Sequence, residues 1–175
     1  MKKDNLKKTV LASMFLSIGF VLPLVTSQIK EIGDTLLPMH IPVMLCGLIC
    51  GGVYGGAVGF MLPFLRSFCF SMPPLYPNAV WMAAELLTYG AVIGFLYSLF
   101  KKKDLKAVYI SLISAMLVGR IVWGAVKAVL LGFGGKSFTF ALFISGGFVD
   151  AALGIALQLI LIPILMMVYH RTKRN

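Results

Sequence analysis

The chain has 175 residues, 59% of them hydrophobic and only 13% charged, where a soluble domain carries about 25% charged residues. With a mean hydropathy of +0.94, that balance excludes an ordinary soluble domain and points to an all-α membrane protein: a single integral-membrane domain, 1–175, with room for about six spans. The net charge of +10 does not describe a nucleic-acid surface, because eleven of the sixteen Lys and Arg form three short clusters flanking apolar segments: Lys2, Lys3, Lys7 and Lys8; Lys101, Lys102, Lys103 and Lys106; Arg171, Lys173 and Arg174.

The first helix is expected near 8–27. A basic start followed by an apolar run resembles a signal peptide. However, the run contains Pro23 and ends at Thr26-Ser27-Gln28 without a small-x-small cleavage site, so it reads as a retained span. A polar loop follows, with Gln28, Lys30, Glu31, Gly33 and Asp34. The apolar stretch from Met39 to Met72 would make a helix of about 51 Å, too long for a hydrocarbon core of about 30 Å. Glycine permits a tight turn, and the run Gly51, Gly52, Gly55, Gly56 divides the stretch into helices near 39–52 and 55–70. Three prolines make Ser71 to Pro77 a loop. Further helices are expected near 78–100, 107–132 and 139–169. The last is long, so its start lies outside the membrane or it bends at Gly146-Gly147.

Parity supports six spans. Both termini and the connection between the fourth and fifth helices then share one side, and all three basic clusters fall there. The positive-inside rule makes that side cytoplasmic.

Five ionisable residues interrupt the apolar spans: Arg66, Glu85, Arg120, Lys127 and Asp150. A charge at mid-bilayer costs about 2.5–3.5 kcal/mol on insertion scales, so such groups mark partners, wet cavities or bound solutes. In this topology all five lie at mid-depth or in the outer half. Arg120 and Lys127 share a face, with Trp123 between them. Asn78, Trp81, Glu85 and Tyr89 form one stripe on the fourth helix. Together these residues describe a small-molecule pocket. Its one excess positive charge favours a solute carrying a carboxylate. His40 lies near the outer mouth. The same charges also admit a structural reading, in which Arg66 pairs with Glu85 and Arg120 with Asp150.

On the first helix, Thr9, Ser13 and Ser17 recur every four residues, a small-residue stripe that lets another helix approach closely, inside the bundle or from a partner. Gly135-Lys136-Ser137 looks like the end of a phosphate loop, but Leu130 replaces the required glycine. Any ATP-driven activity must therefore come from partner subunits. No catalytic nucleophile motif or metal-ligand set is present. Cys46, Cys50 and Cys69 sit in apolar runs and read as small hydrophobes. No cofactor is expected, and the chain does not read as an enzyme.

Several segments resemble the substrate-specific S components of energy-coupling factor (ECF) vitamin transporters. They are Leu37-Pro38-Met39-His40-Ile41-Pro42-Val43 with Cys46-Gly47 and Gly51; Gly55, Gly59, Pro63, Leu65 and Arg66; Met72-Pro73-Pro74; Glu85, Leu86, Thr88, Tyr89 and Gly90; and Gly119-Arg120-Ile121-Val122-Trp123. The resemblance implies six membrane helices with cytoplasmic termini in a prokaryotic plasma membrane. It also implies capture of a vitamin from outside, with release driven by a transmembrane coupling subunit and two cytoplasmic ATPases. An Ala-x-x-x-Ala motif contacts the coupling subunit in that family, and Ser13 and Ser17 take its spacing here. The segment 28–38 would act as a lid. The chain looks most similar to pantothenate-type members, and niacin also fits the charge. The alternative is a structural six-helix scaffold with no solute pocket.

Overall fold

The computed structural model describes residues 2–26, 37–133 and 139–174. The loop residues Gln28, Lys30, Glu31, Gly33 and Asp34, nearly all of the expected lid, and Gly135-Lys136-Ser137 lie outside the described residues.

Among the described residues, every regular element is helical: α1 (Lys2–Thr26), α2 (His40–Cys50), α3 (Gly52–Phe70), α4 (Val80–Leu99), α5 (Leu105–Phe133), α6 (Phe140–Ile144) and α7 (Ala152–Arg174). A turn, Leu75–Ala79, in which Tyr76 is extended (φ −123°, ψ 134°), leads into α4, and a wide helical turn, Ser145–Val149, follows α6. Five helical stretches among the described residues are long and apolar enough to cross a membrane: Lys3–Val25, Gly52–Phe70, Leu75–Leu99, Leu105–Gly132 and Ala152–Thr172. Two apolar helices, His40–Cys50 and Phe140–Val149, are shorter. The expected six spans therefore do not map one to one onto the helices.

Two differences account for this. The expected helix near 39–52 has only 11 residues, about 16 Å of helix and roughly half a bilayer core. It ends at Gly51, whose φ of 101° and ψ of 164° suit a residue without a Cβ. The expected helix near 139–169 is divided into α6, the wide turn and α7. The division falls at Gly146 and Gly147, which pack beneath the Trp123 ring: a Cβ on Gly146 would sit 3.2 Å from Trp123 Cη2.

α4 lies at the centre, against α2, α3 and α5. Every residue of α2 except Ile49 is buried. Glycines set the spacing of these central helices. A Cβ on Gly55 would lie 2.6 Å from the Gly47 Cα and 2.7 Å from the Gly90 carbonyl oxygen. Three backbones thus meet where side chains would hold them apart.

α1 differs: Leu6, Val10, Met14, Ile18, Val21 and Val25 are all exposed along it, as suits a lipid-facing or partner-facing surface. The Tyr54 hydroxyl donates to the Asn5 carbonyl (3.5 Å), and the Tyr97 hydroxyl lies 2.9 Å from His170 Nε2. Asn5 and His170 therefore share the end of the bundle that holds Gly51 and the α4–α5 connection.

Candidate functional site

At the opposite half of the bundle, α2, α4 and α5 bring charged and aromatic side chains together in the interior. Glu85, in the second turn of α4, is 3% exposed. Its Oε1 lies 2.9 Å from Arg120 Nη1 on α5 and 3.6 Å from His40 Nε2 at the start of α2. The His40 ring also meets Tyr89, one turn beyond Glu85, with centroids 5.2 Å apart. Tyr89 fits because the residue facing it on α5 is Gly119, where any Cβ would overlap the phenol ring. The position before Arg120 thus has to be glycine for the stripe on α4 to close against α5.

Several buried polar atoms here have no hydrogen-bond partner among the described residues: both ring nitrogens of His40, Glu85 Oε1, and Nε and Nη2 of Arg120. The Glu85–Arg120 contact is thus an ion pair by distance, with the N–H directed away from ideal hydrogen-bond geometry. A buried polar group left without a partner costs about 1–3 kcal/mol. The three that also lack an ion-pair contact, His40 Nδ1 and Nε and Nη2 of Arg120, make the locus chemically receptive to a polar solute. Gln158 on α7, 1% exposed, also has an amide nitrogen without a partner.

Towards the loops at this end, the site is lined with aromatic rings. Lys127 Nζ lies 4.4 Å from the Trp123 ring centroid and 5.2 Å from that of Trp81, and the Arg120 guanidinium is 5.9 Å from Trp123. Phe143 on α6 stacks beside Trp123 at 6.2 Å. Cations over ring faces are attracted by the ring quadrupole. Lys127 is held on α5 two turns above Arg120, so its position follows from helical spacing.

The expected residues fall into three groups. Glu85, Tyr89 and Arg120 are joined directly, and Trp81, Trp123 and Lys127 form the adjoining aromatic wall. Arg66 stands apart. Its Nη1 donates to the Phe20 carbonyl at 2.6 Å, and its guanidinium lies 5.4 Å from the Phe70 ring. This ties α3 to α1 in the turn where Pro23 removes a helical donor. The pairing of Arg66 with Glu85 is therefore replaced by Arg120 with Glu85. Asp150 is exposed, in the turn between the wide turn and α7. Its backbone N–H donates to the Ser145 carbonyl at 2.9 Å, and among the described residues its carboxylate is not the partner of Arg120. Asn78 is half-buried in the turn before α4, at the rim.

His40 is the main residue under-weighted by sequence reasoning. Expected only near the outer mouth, His40 opens α2 within a residue of the expected start and carries its ring to Glu85. The available signal was its position between Pro38 and Pro42, which fixes where α2 starts.

Ser13 and Ser17 lie exposed on α1, remote from this cluster. Their hydroxyls donate to the carbonyls of Thr9 and Ser13, each at 3.0 Å. The polar groups are thus satisfied within the helix, and the face they form is small.

These features define a multi-pass helical membrane protein with a polar cluster enclosed among its central helices. The chain belongs to the family described as ECF transporter, substrate-specific component, whose model matches residues 7–166. That family consists of transport subunits rather than enzymes. Membership implies a small-molecule substrate and association with the ECF transmembrane and ATPase subunits. No curated protein and no solved structure matches this chain.

Proposed function

We propose that the chain captures a small anionic vitamin, with pantothenate the best fit, from outside a prokaryotic cell. The whole of 1–175 acts as one membrane domain, with six spans and cytoplasmic termini, and partner subunits supply the ATP-driven step. The observation that carries this reading is the buried Glu85–Arg120–His40 cluster, in which Nε and Nη2 of Arg120 and Nδ1 of His40 have no hydrogen-bond partner among the described residues.

Two cations face the candidate site: Arg120, whose Nη1 pairs with Glu85, and Lys127, which stands beside Trp81 and Trp123 within the field of Asp150. A carboxylate placed between Arg120 and Lys127 would accept hydrogen bonds from Nε and Nη2 of Arg120 and gain charge-assisted strength from both cations. Tyr89, Trp81 and Trp123 would flank its apolar part, and Asn78 would meet it at the rim. Asp150 and Arg66 serve the site indirectly, at the α7 entry and through the α1–α3 tie. Ser13 and Ser17 offer the transmembrane coupling subunit a small-residue surface away from the pocket. The support for cytoplasmic termini is the basic clusters that accompany both ends and the α4–α5 connection.

The test is thermal unfolding of the purified protein against a panel of B vitamins. A ligand at one hundred times its Kd stabilises the native state by about 2.7 kcal/mol. Pantothenate should raise Tm by about 5–10 °C, a shift scaled to a chain of this size, and neutral vitamins should not. A panel with no response up to millimolar concentration would overturn the reading.

A further inference from the structure

The end of the bundle remote from the polar cluster carries a concavity of about 600 Å³ between the α4–α5 connection and the last turns of α7. Its two surfaces differ chemically. Val108 and Met166 are apolar and 1% exposed each, and form part of its wall. Lys102, Lys103 and Arg171 line it as well, with Asp104 the acidic residue among them. Three cations against one anion leave a net of two positive charges.

The concavity is braced. The Tyr97 hydroxyl lies 2.9 Å from His170 Nε2, which joins the end of α4 to α7. Lys103 Nζ donates to the Tyr97 carbonyl and lies 4.4 Å from the centroid of the Tyr97 ring. Lys103 therefore closes the connection onto α4, while the exposed Lys102 and Arg171 line the concavity from separate elements.

This concavity sits where the apolar helices α4, α5 and α7 give way to lysine-rich connections, the depth of a membrane's polar boundary. A basic opening over an apolar wall matches a molecule with an anionic phosphate head and a hydrocarbon body. Basic pockets between membrane helices recognise such headgroups. We propose that it is a binding site for the headgroup of an anionic phospholipid, with Lys102 and Arg171 contacting the phosphate oxygens and Val108 and Met166 meeting the upper acyl chain. Bound there, the lipid would bridge the α4–α5 connection to α7.

Thermal unfolding in a neutral detergent tests this, with added phosphatidylglycerol, phosphatidylcholine or inorganic phosphate. Phosphatidylglycerol should raise Tm, and the two other additives should not. In Lys102→Gln/Arg171→Gln the half-maximal phosphatidylglycerol concentration should rise at least about ten-fold, from the contribution of two cations near a lipid surface. Lys3→Gln/Lys7→Gln loses the same net charge elsewhere and should change it less than about two-fold. Monodisperse elution of both variants confirms that they are folded. Equal responses to the two lipids, or equal losses in the two variants, would overturn the site. A response to inorganic phosphate that matches phosphatidylglycerol would overturn the lipid assignment in favour of a small-anion site.

Discussion

α1 and α2 pack against each other and are both apolar, yet they occupy opposite environments. α2 buries every residue but Ile49, while α1 leaves Leu6, Val10, Met14, Ile18, Val21 and Val25 exposed. Hydrophobicity brings both into a membrane, but it cannot rank them, because lipid and protein interior are equally apolar. The ranking comes from what interrupts the apolar sequence. α2 carries Gly47, which meets the backbones of α3 and α4, and His40, which reaches Glu85. α1 carries Ser13 and Ser17, whose hydroxyls are satisfied within their own helix. One set of interruptions builds an interior site, and the other a surface.

Substitutions can break that contrast, and the largest effect is expected in the glycine seam. In Gly90→Leu the new side chain meets the Gly55 backbone, which cannot swing aside. The loss should be about 3 kcal/mol or more, read as failure to recover a monodisperse protein in detergent. Gly19→Ala on α1 meets only the flexible end of Leu62, and should be recovered with a small change in Tm.

Next in size is Arg120→Met, which leaves Glu85 buried without its guanidinium partner and with His40 as its remaining contact. Thermal unfolding should show a loss of about 3–5 kcal/mol, and Glu85→Gln/Arg120→Gln should lose less than the single variant because no ion is left unpaired. Tyr97→Phe, at the other end, should cost about 1 kcal/mol through its lost hydrogen bond to His170, again read by thermal unfolding. Smallest in stability is Ser13→Leu/Ser17→Leu, within about 0.5 kcal/mol for exposed positions. That variant should bind solute normally yet fail to co-purify with the coupling subunit. Lost solute binding there would place α1 in the interior after all.

Much of this arrangement can be read from residue type and spacing. The all-helical character, the proline loop after α3 and the stripe of Trp81, Glu85 and Tyr89 follow from hydropathy and period. The partner of Glu85 does not. Arg66 and Arg120 are equally plausible in charge, and the choice depends on how α3 and α5 sit around α4. Gly119 decides it by letting α5 close against Tyr89, a contact invisible in either helix alone. The end of α2 is legible in the glycine run, since the break falls at Gly51, but the backbone conformation that makes it is not. Within 139–169 the sequence offers Gly146-Gly147 as a bend, but their packing under Trp123, and the exposed Asp150 that results, depend on α5.

The central claim is that the Glu85–Arg120–His40 cluster is where solute binds. Calorimetric titration of pantothenate into wild-type protein and Glu85→Gln/Arg120→Gln tests it most directly, since the double variant removes both charges without stranding either. Wild-type protein should bind with a Kd below about 1 μM, near −8.2 kcal/mol. The folded double variant should bind at least about a hundred-fold more weakly, as expected for lost charge-assisted contacts. Equal affinity in the two proteins would contradict the account and move the solute site away from α4 and α5.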